Sequence, residues 1–298
     1  MRSIGSFSAL AVAGMLAVAG SASASTLSVD RGGTLRFTAA KGEVNSVDLN
    51  DNGGLVTTVT DPGSTIAVGA GCVQVTPHQG QCPLPASFDQ AVAINLADGD
   101  DVAHAFKFST GHIAISGGAG ADTIEDLPEF GADVSGGAGN DIITVHPNFG
   151  GSVNVHGDAG SDSITATSAS GAVNGDAGND QITLSTFIEP PAGFSAAYGG
   201  AGDDTIAASG PTDMSLIDGG LGSDAISAAT FSEVAVIRGG AGADEIAAVD
   251  GTSQILGGLD ADTIDGGGDG DTINCGLGPD QYVQYVGDVV SGCEIALP

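Results

Sequence analysis

The chain has 298 residues, enough for one large domain or two small ones, and 37 Asp and Glu against 6 Lys and Arg give a formal net charge of −31. This charge argues strongly against a nucleic-acid binder and against an anionic membrane surface as partner, because both would repel the protein. Hydrophobic residues make up 41% of the chain, too many for a disordered acidic segment, so a bound cation is the first explanation to consider for the carboxylates.

Residues 1–24 have the pattern of a secretory signal peptide. Arg2 supplies the positive start, an apolar stretch follows over residues 9–20, and residues 22–24 form a small-x-small cleavage site. We therefore expect cleavage before Ser25 and a secreted protein. No other stretch of the sequence is long and apolar enough to span a membrane.

Residues 25–90 predict a small β-rich cap, or irregular leading rungs of the region that follows. Turn signals rich in Gly separate five short segments of strand composition. The predicted strands are Thr26–Val29, Thr34–Thr38, Ser46–Leu49, Leu55–Thr60 and Thr65–Val68.

From residue 117 onward the chain repeats one nonapeptide ten times, with Gly at its start, Asp at position six and a large apolar residue at position eight. The copies begin at Gly117, Gly136, Gly157, Gly175, Gly199, Gly219, Gly239, Gly257, Gly266 and Cys275. Position eight is Ile in nine copies and Tyr282 in the last, and another apolar residue stands two positions before each copy. Both should point into a continuous core made by stacking the repeats.

This nonapeptide resembles the motif G-G-x-G-x-D-x-U-x of the RTX, or haemolysin-type, calcium-binding repeat family, in which U is a large apolar residue. The resemblance implies an all-β fold, a right-handed parallel β-roll or β-helix in which eighteen residues form a full turn. It also implies calcium ions held between the loops of successive turns. Asp98-Gly99-Asp100-Asp101 is a degenerate copy of the motif, so we expect the solenoid to occupy residues 91–298.

The residue types in the motif support calcium as the bound ion. Glycine allows positive φ, so the backbone can turn tightly and aim its carbonyls inward, while Asp adds a charged oxygen. Ca²⁺ takes roughly six to eight oxygen ligands in flexible geometry. The predicted carboxylate ligands are Asp122, Asp141, Asp162, Asp180, Asp204, Asp224, Asp244, Asp262, Asp271 and Asp280. The predicted carbonyl ligands belong to Gly117, Gly136, Gly199, Gly219, Gly239, Gly257 and Gly266.

Four further Asp residues replace motif glycines. Asp158 and Asp176 stand at the second glycine, and Asp260 and Asp269 at the third. An added carboxylate is electrostatically favourable beside a cation, so these residues are predicted as ligands or near-ligands. The alternative is that Asp simply tolerates turn conformations.

The spacing of the motif aspartates predicts sites on one side of the solenoid. Successive steps are 19, 21, 18, 24, 20, 20, 18, 9 and 9 residues, so most are near a full turn. One edge should therefore carry a column of calcium loops, with about half the sites of a strict tandem array. The opposite edge should consist of degenerate turns such as 129–133, 168–172 and 250–253, and of a small insertion at Pro190-Pro191. Only the C-terminal end returns to nine-residue spacing.

Four cysteines in an exported chain predict two disulfides. Their spacing favours Cys72 with Cys82, and Cys275 with Cys293, which are 18 residues apart. Neighbouring rungs of a solenoid lie about 4.8 Å apart, which suits the Cα separation of a disulfide. The second bond would therefore join the last two rungs.

The sequence contains no H-E-x-x-H, G-x-S-x-G or phosphate-binding loop, so we expect no enzyme activity. The histidines are scattered, and surface turn positions are favoured even for His146 and His156, which could lie on neighbouring turns. The five positions are His78, His104, His112, His146 and His156. A carboxylate pair that cleaves polysaccharide on a β-helix remains a less favoured alternative.

The predicted function is calcium binding by a secreted repeat solenoid that folds, or is stabilised, when several Ca²⁺ ions bind outside the cell. The alternative is an extracellular structural or adhesive scaffold. An ice-binding solenoid is disfavoured, because the residues after the motif Asp form no regular Thr array. We expect a monomer, and the sequence does not identify a protein or glycan partner.

Overall fold

A computed structural model describes residues 24–51, 56–83, 91–106, 112–125, 131–146, 152–167, 170–185, 195–210, 214–229, 236–248, 252–268 and 270–297. The predicted signal peptide up to residue 23, the Pro190-Pro191 insertion and Asp269 lie outside the described residues. Within them the protein is all-β, with 29 strands and no helix, as predicted. A search of the same residues for a helix able to cross a membrane finds none.

The N-terminal region forms a cap of mainly antiparallel strands on one end of a solenoid. Its strands are β1 (Ser25–Val29), β2 (Leu35–Thr38), β3 (Ser46–Asp51), β4 (Val56–Thr60), β5 (Ile66–Val68), β6 (Val73–Thr76) and β7 (Gln79–Pro83). The first five agree with the predicted strands, whereas the β6–β7 hairpin was not predicted. Strands β2 and β3 pair in parallel with β8 and β9, so the parallel stacking already begins inside the N-terminal region.

From residue 91 the chain alternates between two sheets of 14 and 15 strands, which also contain the cap strands, and the strands from β8 onward pair in parallel. The even-numbered strands lie in the first sheet: β8 (Ala91–Asn95), β10 (His112–Ala119), β12 (Gly131–Ala138), β14 (Ser152–Ala159), β16 (Ser170–Ala177), β18 (Ser195–Ala201), β20 (Met214–Leu221), β22 (Val236–Ala241), β24 (Gln254–Leu259), β26 (Thr272–Leu277) and β28 (Val289–Ser291).

The odd-numbered strands lie in the second sheet: β9 (Val102–Phe106), β11 (Thr123–Glu125), β13 (Ile142–Val145), β15 (Ser163–Thr167), β17 (Gln181–Ser185), β19 (Thr205–Ser209), β21 (Ala225–Ala229), β23 (Glu245–Ala248), β25 (Thr263–Asp265), β27 (Gln281–Val283) and β29 (Ile295–Leu297). One even strand, the motif turn and the next odd strand make up a rung. The predicted parallel β-solenoid is confirmed.

The core lies between the sheets and is filled by the two predicted apolar positions of each repeat, which are at most 4% exposed except for the partly buried Tyr282. The first sheet contributes Ile115, Val134, Val155, Val173, Ala197, Ile217, Ile237, Ile255 and Ile273, and the second Ile124, Ile143, Ile164, Ile182, Ile206, Ile226, Ile246 and Ile264. In-register pairing stacks these residues on one another along the solenoid axis. Burying each large aliphatic side chain contributes about 1.5–3 kcal/mol, so the apolar column stabilises every rung.

The two edges of the solenoid differ in sequence and in regularity. Motif turns connect the first sheet to the second along one edge, from Ala119 before β11 to Leu277 before β27. Of the degenerate turns predicted for the opposite edge, residues 131–133 and 170–172 lie in strands β12 and β16 instead, and residues 129–130, 168–169 and 250–251 lie outside the described part of the chain.

Both predicted disulfides are present. Cys72–Cys82 closes a loop in the cap, with the two Cα atoms 4.2 Å apart. Cys275 in β26 is bonded to Cys293 in the next rung, with a Cα separation of 5.1 Å. The second bond therefore joins the last two rungs, as the sequence predicts.

Candidate metal centre

A column of aspartate side chains runs along the motif edge, inside the turns. Parallel pairing of the strands on both sides of each turn places the same motif position of successive rungs one above the other. The column consists of Asp101, Asp122, Asp141, Asp162, Asp180, Asp204, Asp224, Asp244, Asp262 and Asp280, each at most 2% exposed. Nine predicted ligands therefore lie on one edge, together with Asp101 of the degenerate copy.

One oxygen of each carboxylate joins neighbouring rungs. Its Oδ1 accepts a hydrogen bond from the backbone N–H of the preceding member, as when Asp180 N–H donates to Asp204 Oδ1 at 2.8 Å. The series runs through Asn45, Asp101, Asp122, Asp141, Asp162, Asp180, Asp204, Asp224, Asp244, Asp262, Asp280 and Glu294, with distances of 2.6–3.0 Å. The aspartates thus cap each other's turns.

The second oxygen, Oδ2, points into the turn and, among the described residues, has no hydrogen-bond donor in any of the ten column aspartates. From Asp122 to Asp262 it lies against the first glycine of its own motif. A Cβ atom on Gly219, for example, would collide with Asp224 Oδ2 and crowd the carbonyl oxygen of Gly239 on the next rung. The absence of a side chain at this position therefore leaves a small space bordered by a carboxylate oxygen and a carbonyl oxygen.

The same arrangement repeats along the column. The carbonyls that border this space belong to Gly136, Gly157, Gly175, Gly199, Gly219, Gly239, Gly257 and Cys275. Five of the seven predicted carbonyl ligands are in this set, and Gly117 and Gly266 are not. The carbonyl at motif position three has another role, because Ala138 O, for example, accepts the N–H of Gly120. Only some of the turn carbonyls therefore face inward as the sequence predicts.

Burial makes ionisation of the column unfavourable. Desolvation raises the pKa of Asp162, Asp204 and Asp244 from 3.8 to about 7, and that of Asp122 to about 6. The hydrogen bond from the preceding backbone N–H opposes this shift, and neighbouring carboxylates add to it. Burial also raises the pKa of Asp141, Asp180 and Asp224. In each of these rungs, a proton or a cation near Oδ2 would therefore stabilise the buried carboxyl group.

Asp271 lies on the opposite edge. Its Oδ1 accepts the N–H of Ser253 at 2.7 Å, and its own N–H donates to Asp288 Oδ1 at 3.0 Å. The nine-residue spacing at the C-terminal end therefore produces a short second column, so the predicted ligands divide between the two edges.

Of the aspartates that replace motif glycines, Asp158 and Asp176 make contacts on the outer face of the first sheet rather than in the turn. Asp158, Asp176 and Asp260 adopt left-handed backbone with φ of 71°, 72° and 75°. Asp158 accepts a hydrogen bond from the Ser135 hydroxyl, and Asp176 contacts His156 Nδ1 at 2.8 Å. These contacts place both side chains on the outer face of the first sheet.

Sequence reasoning missed both ends of the column. Asn45 starts it and Glu294 ends it, as the acceptor for the N–H of Asp280. Asn45-Ser46-Val47 and Glu294-Ile295-Ala296 have the polar-x-apolar order of the motif but lack most of its glycines. Matching only the second half of the motif would have found them.

Comparison with models of known protein families and with curated proteins gives no match to this chain.

Proposed function

We propose that this protein is a secreted calcium-binding β-solenoid, similar to the RTX repeat proteins, whose repeat region is stabilised when Ca²⁺ ions bind along the aspartate column. The observation that carries the proposal is the row of buried Oδ2 atoms. Within the described residues none has a hydrogen-bond donor, and from Asp122 to Asp262 each borders the same space as a backbone carbonyl of the next rung.

Repulsion between the ionised aspartates of neighbouring rungs would destabilise the column unless cations offset it. Rungs about 4.8 Å apart bring neighbouring carboxylates close together, and two unit charges at that distance repel by about 3 kcal/mol at an effective dielectric constant of about 20. Several such pairs would exceed the whole stability of a typical domain, roughly 5–15 kcal/mol. The ionised column is therefore compatible with a stable fold only if cations lie within it.

The donor set favours calcium over other cations. From Asp122 to Asp262 the space at the first motif glycine is bordered by a carboxylate oxygen and a carbonyl oxygen, and such oxygen donors suit a hard ion. Mg²⁺ requires near-ideal octahedral geometry and gives up its water reluctantly, whereas Ca²⁺ accepts more ligands and irregular geometry. The rung-to-rung spacing is set by β-pairing, so the ion that tolerates imposed geometry fits best.

Secretion fits this chemistry. The signal-peptide pattern and the two disulfides indicate an oxidising compartment outside the cytoplasm. Extracellular modules bind calcium with dissociation constants of roughly 10⁻⁴–10⁻³ M, so the column would stay metal-free before export. Calcium binding would then favour folding only at the destination.

A structural or adhesive scaffold without calcium is the second candidate. It is favoured by the hydrogen bonds from backbone N–H to Oδ1, which join successive rungs without any ion. In that case a proton on Oδ2 would neutralise each carboxyl group.

The test is a calcium titration of the chain from Ser25 to Pro298, followed by far-ultraviolet circular dichroism, with magnesium as control. We expect a cooperative gain of β signal with calcium alone, and several bound ions by equilibrium dialysis.

Asp224→Asn keeps an oxygen that can accept the N–H of Asp204 but removes the charge. It should lose one or two ions and need more calcium to fold. Unchanged spectra and no bound calcium would support the scaffold.

A further inference from the structure

Three potential metal ligands converge on the outer face of the first sheet. His156 and Asp158 lie on β14, and Asp176 lies on β16, with one ligand atom of each within 4.8 Å of the others. His156 Nδ1 is 2.8 Å from Asp176 Oδ2, and the Ser135 hydroxyl of β12 donates to Asp158. Pairing of Ser135 with His156 across neighbouring strands holds the group together.

We propose that His156, Asp158 and Asp176 form a second metal site, separate from the aspartate column, that binds a divalent transition ion of the Zn²⁺ class. The site does not depend on calcium binding by the column. An imidazole nitrogen with two carboxylates is a donor set for zinc-like ions, whereas calcium takes oxygen ligands alone. With a neutral imidazole the group carries two negative charges, which one divalent ion neutralises.

The distances suit one ion. Zinc binds imidazole nitrogen and carboxylate oxygen at about 2.0–2.2 Å, so atoms on a shared ion lie roughly 3–4 Å apart. Ligand atoms already within 4.8 Å of each other can close onto an ion by small side-chain rotations. His156 and Asp176 have side chains 48% and 38% exposed, so both can rotate and the ion has access from solvent.

A depression of about 450 Å³ adjoins the site. Ser135 and His156 are part of its lining, together with Asp133, Asn154 and Ala114. Three protein ligands leave a zinc-like ion with coordination positions for water or for a small oxygen ligand. The depression offers space for such a ligand next to the ion.

The other described histidines with carboxylate neighbours do not bring three potential ligand atoms together. His112 Nε2 contacts Asp133 at 2.9 Å, with side chains 48% and 55% exposed. His104 lies between Asp48 and Glu125, which face different ring nitrogens at 3.0 and 3.4 Å. Within the described residues, three ligand atoms meet only at His156. The His112–Asp133 pair is therefore a matched control of similar exposure and geometry.

The test is zinc binding by isothermal titration calorimetry, using the full chain without a histidine tag and with calcium in excess to fill the column. All four cysteines are in disulfides, so thiolates do not compete. We expect one tight zinc equivalent in the wild type. His156→Gln and Asp176→Asn should each weaken it at least about tenfold. His112→Gln should bind as the wild type does.

A second measurement uses the wild-type protein, so it does not depend on variants that fold. In ¹H–¹⁵N spectra of the imidazole rings, zinc should shift the His156 ring nitrogens at one equivalent and leave those of His112 in place. Zinc affinity unchanged by His156→Gln, equal losses in the His112→Gln control, or ring shifts spread over all histidines would overturn the proposal.

Discussion

Asp61 in the N-terminal cap and Asp204 in the repeat region are both buried carboxylates, at 0% and 1% exposure, but they accept different numbers of hydrogen bonds. Asp61 Oδ1 is within 3.1–3.3 Å of the backbone N–H groups of Ser46, Gly63 and Ser64, and its Oδ2 accepts the amide of Asn45 at 2.7 Å. Asp204 accepts one N–H, from Asp180.

This difference shows how a protein can bury a carboxylate in two ways. In the cap, donors of the chain itself compensate the charge, and Asn45 supplies a neutral amide where the column has a carboxylate. In the repeats, stacking of identical turns places carboxylate above carboxylate, so no donor among the described residues reaches Oδ2 and a cation or a proton has to compensate the charge. We therefore expect the cap to be independent of calcium and the repeats to depend on it.

Calcium removal at pH 8 should have the largest effect. Each ion stabilises the repeats by about 1.4 kcal/mol when free calcium is tenfold above its dissociation constant, so the loss of several ions is comparable with ordinary domain stability. Hydrogen exchange should become fast in the strands from β10 to β27. It should stay slow in β1, β2 and β4 of the cap. Equal acceleration in both regions would contradict the division between them.

Acidification should stabilise the metal-free protein and destabilise the calcium-bound protein. Burial raises the pKa of Asp162, Asp204 and Asp244 to about 7, above the 3.8 of the unfolded chain, so the folded metal-free protein binds protons more strongly. Its stability is therefore largest below about pH 4 and is lost as the pH rises towards 7. With calcium bound, protons compete with the ions, so stability should fall on acidification instead.

Urea midpoints at pH 5 and pH 8 check this, measured with and without calcium. Column aspartates that hold neither protons nor calcium would give the same pH dependence in both states.

Neutralising single aspartates sharpens the comparison between cap and repeats. Asp61→Asn would turn an amide donor towards Asn45 and should destabilise the protein by about 1–3 kcal/mol, with or without calcium. Asp204→Asn should stabilise the metal-free protein, because a buried charge is removed, and destabilise the calcium-saturated protein, because a ligand is lost. Thermal unfolding of both variants in both states measures this. The same sign for Asp204→Asn with and without calcium would contradict the ligand role.

Repetition explains which features the sequence could predict. The nonapeptide spacing places Ile143, Ile164 and Ile182 in one buried column and puts Cys275 one rung from Cys293, because each depends only on periodicity. The β6–β7 hairpin was not predicted although Val73–Thr76 alternates apolar and polar residues, and its exposure along the whole length shows that this alternation marks no core-facing side.

The hydrogen-bond partners of the aspartates depend on how the strands of successive rungs pair, and the sequence alone does not give this register. The bond from Asp180 N–H to Asp204 Oδ1 spans 24 residues and the equivalent bond from Asp162 spans 18, so no fixed sequence offset predicts it. Similarly, the sequence predicts Asp176 as a calcium ligand, whereas its left-handed backbone turns the side chain towards His156.

The two ends of the solenoid should respond least, and differently, to loss of their disulfides. Replacing Cys275 and Cys293 by Ser frees the last rung, where β28 and β29 each pair with only one neighbour and Glu294 ends the column. Closing an 18-residue loop stabilises by at most about 3 kcal/mol, and here only fraying of that rung is opposed. Hydrogen exchange should therefore accelerate in β28 and β29, and calcium stoichiometry should drop by no more than one ion.

The matched double replacement of Cys72 and Cys82 should leave the stoichiometry unchanged, because the cap holds no column carboxylate. A larger loss of calcium from the cap variant than from the C-terminal variant would show that the cap, and not the column, controls metal binding.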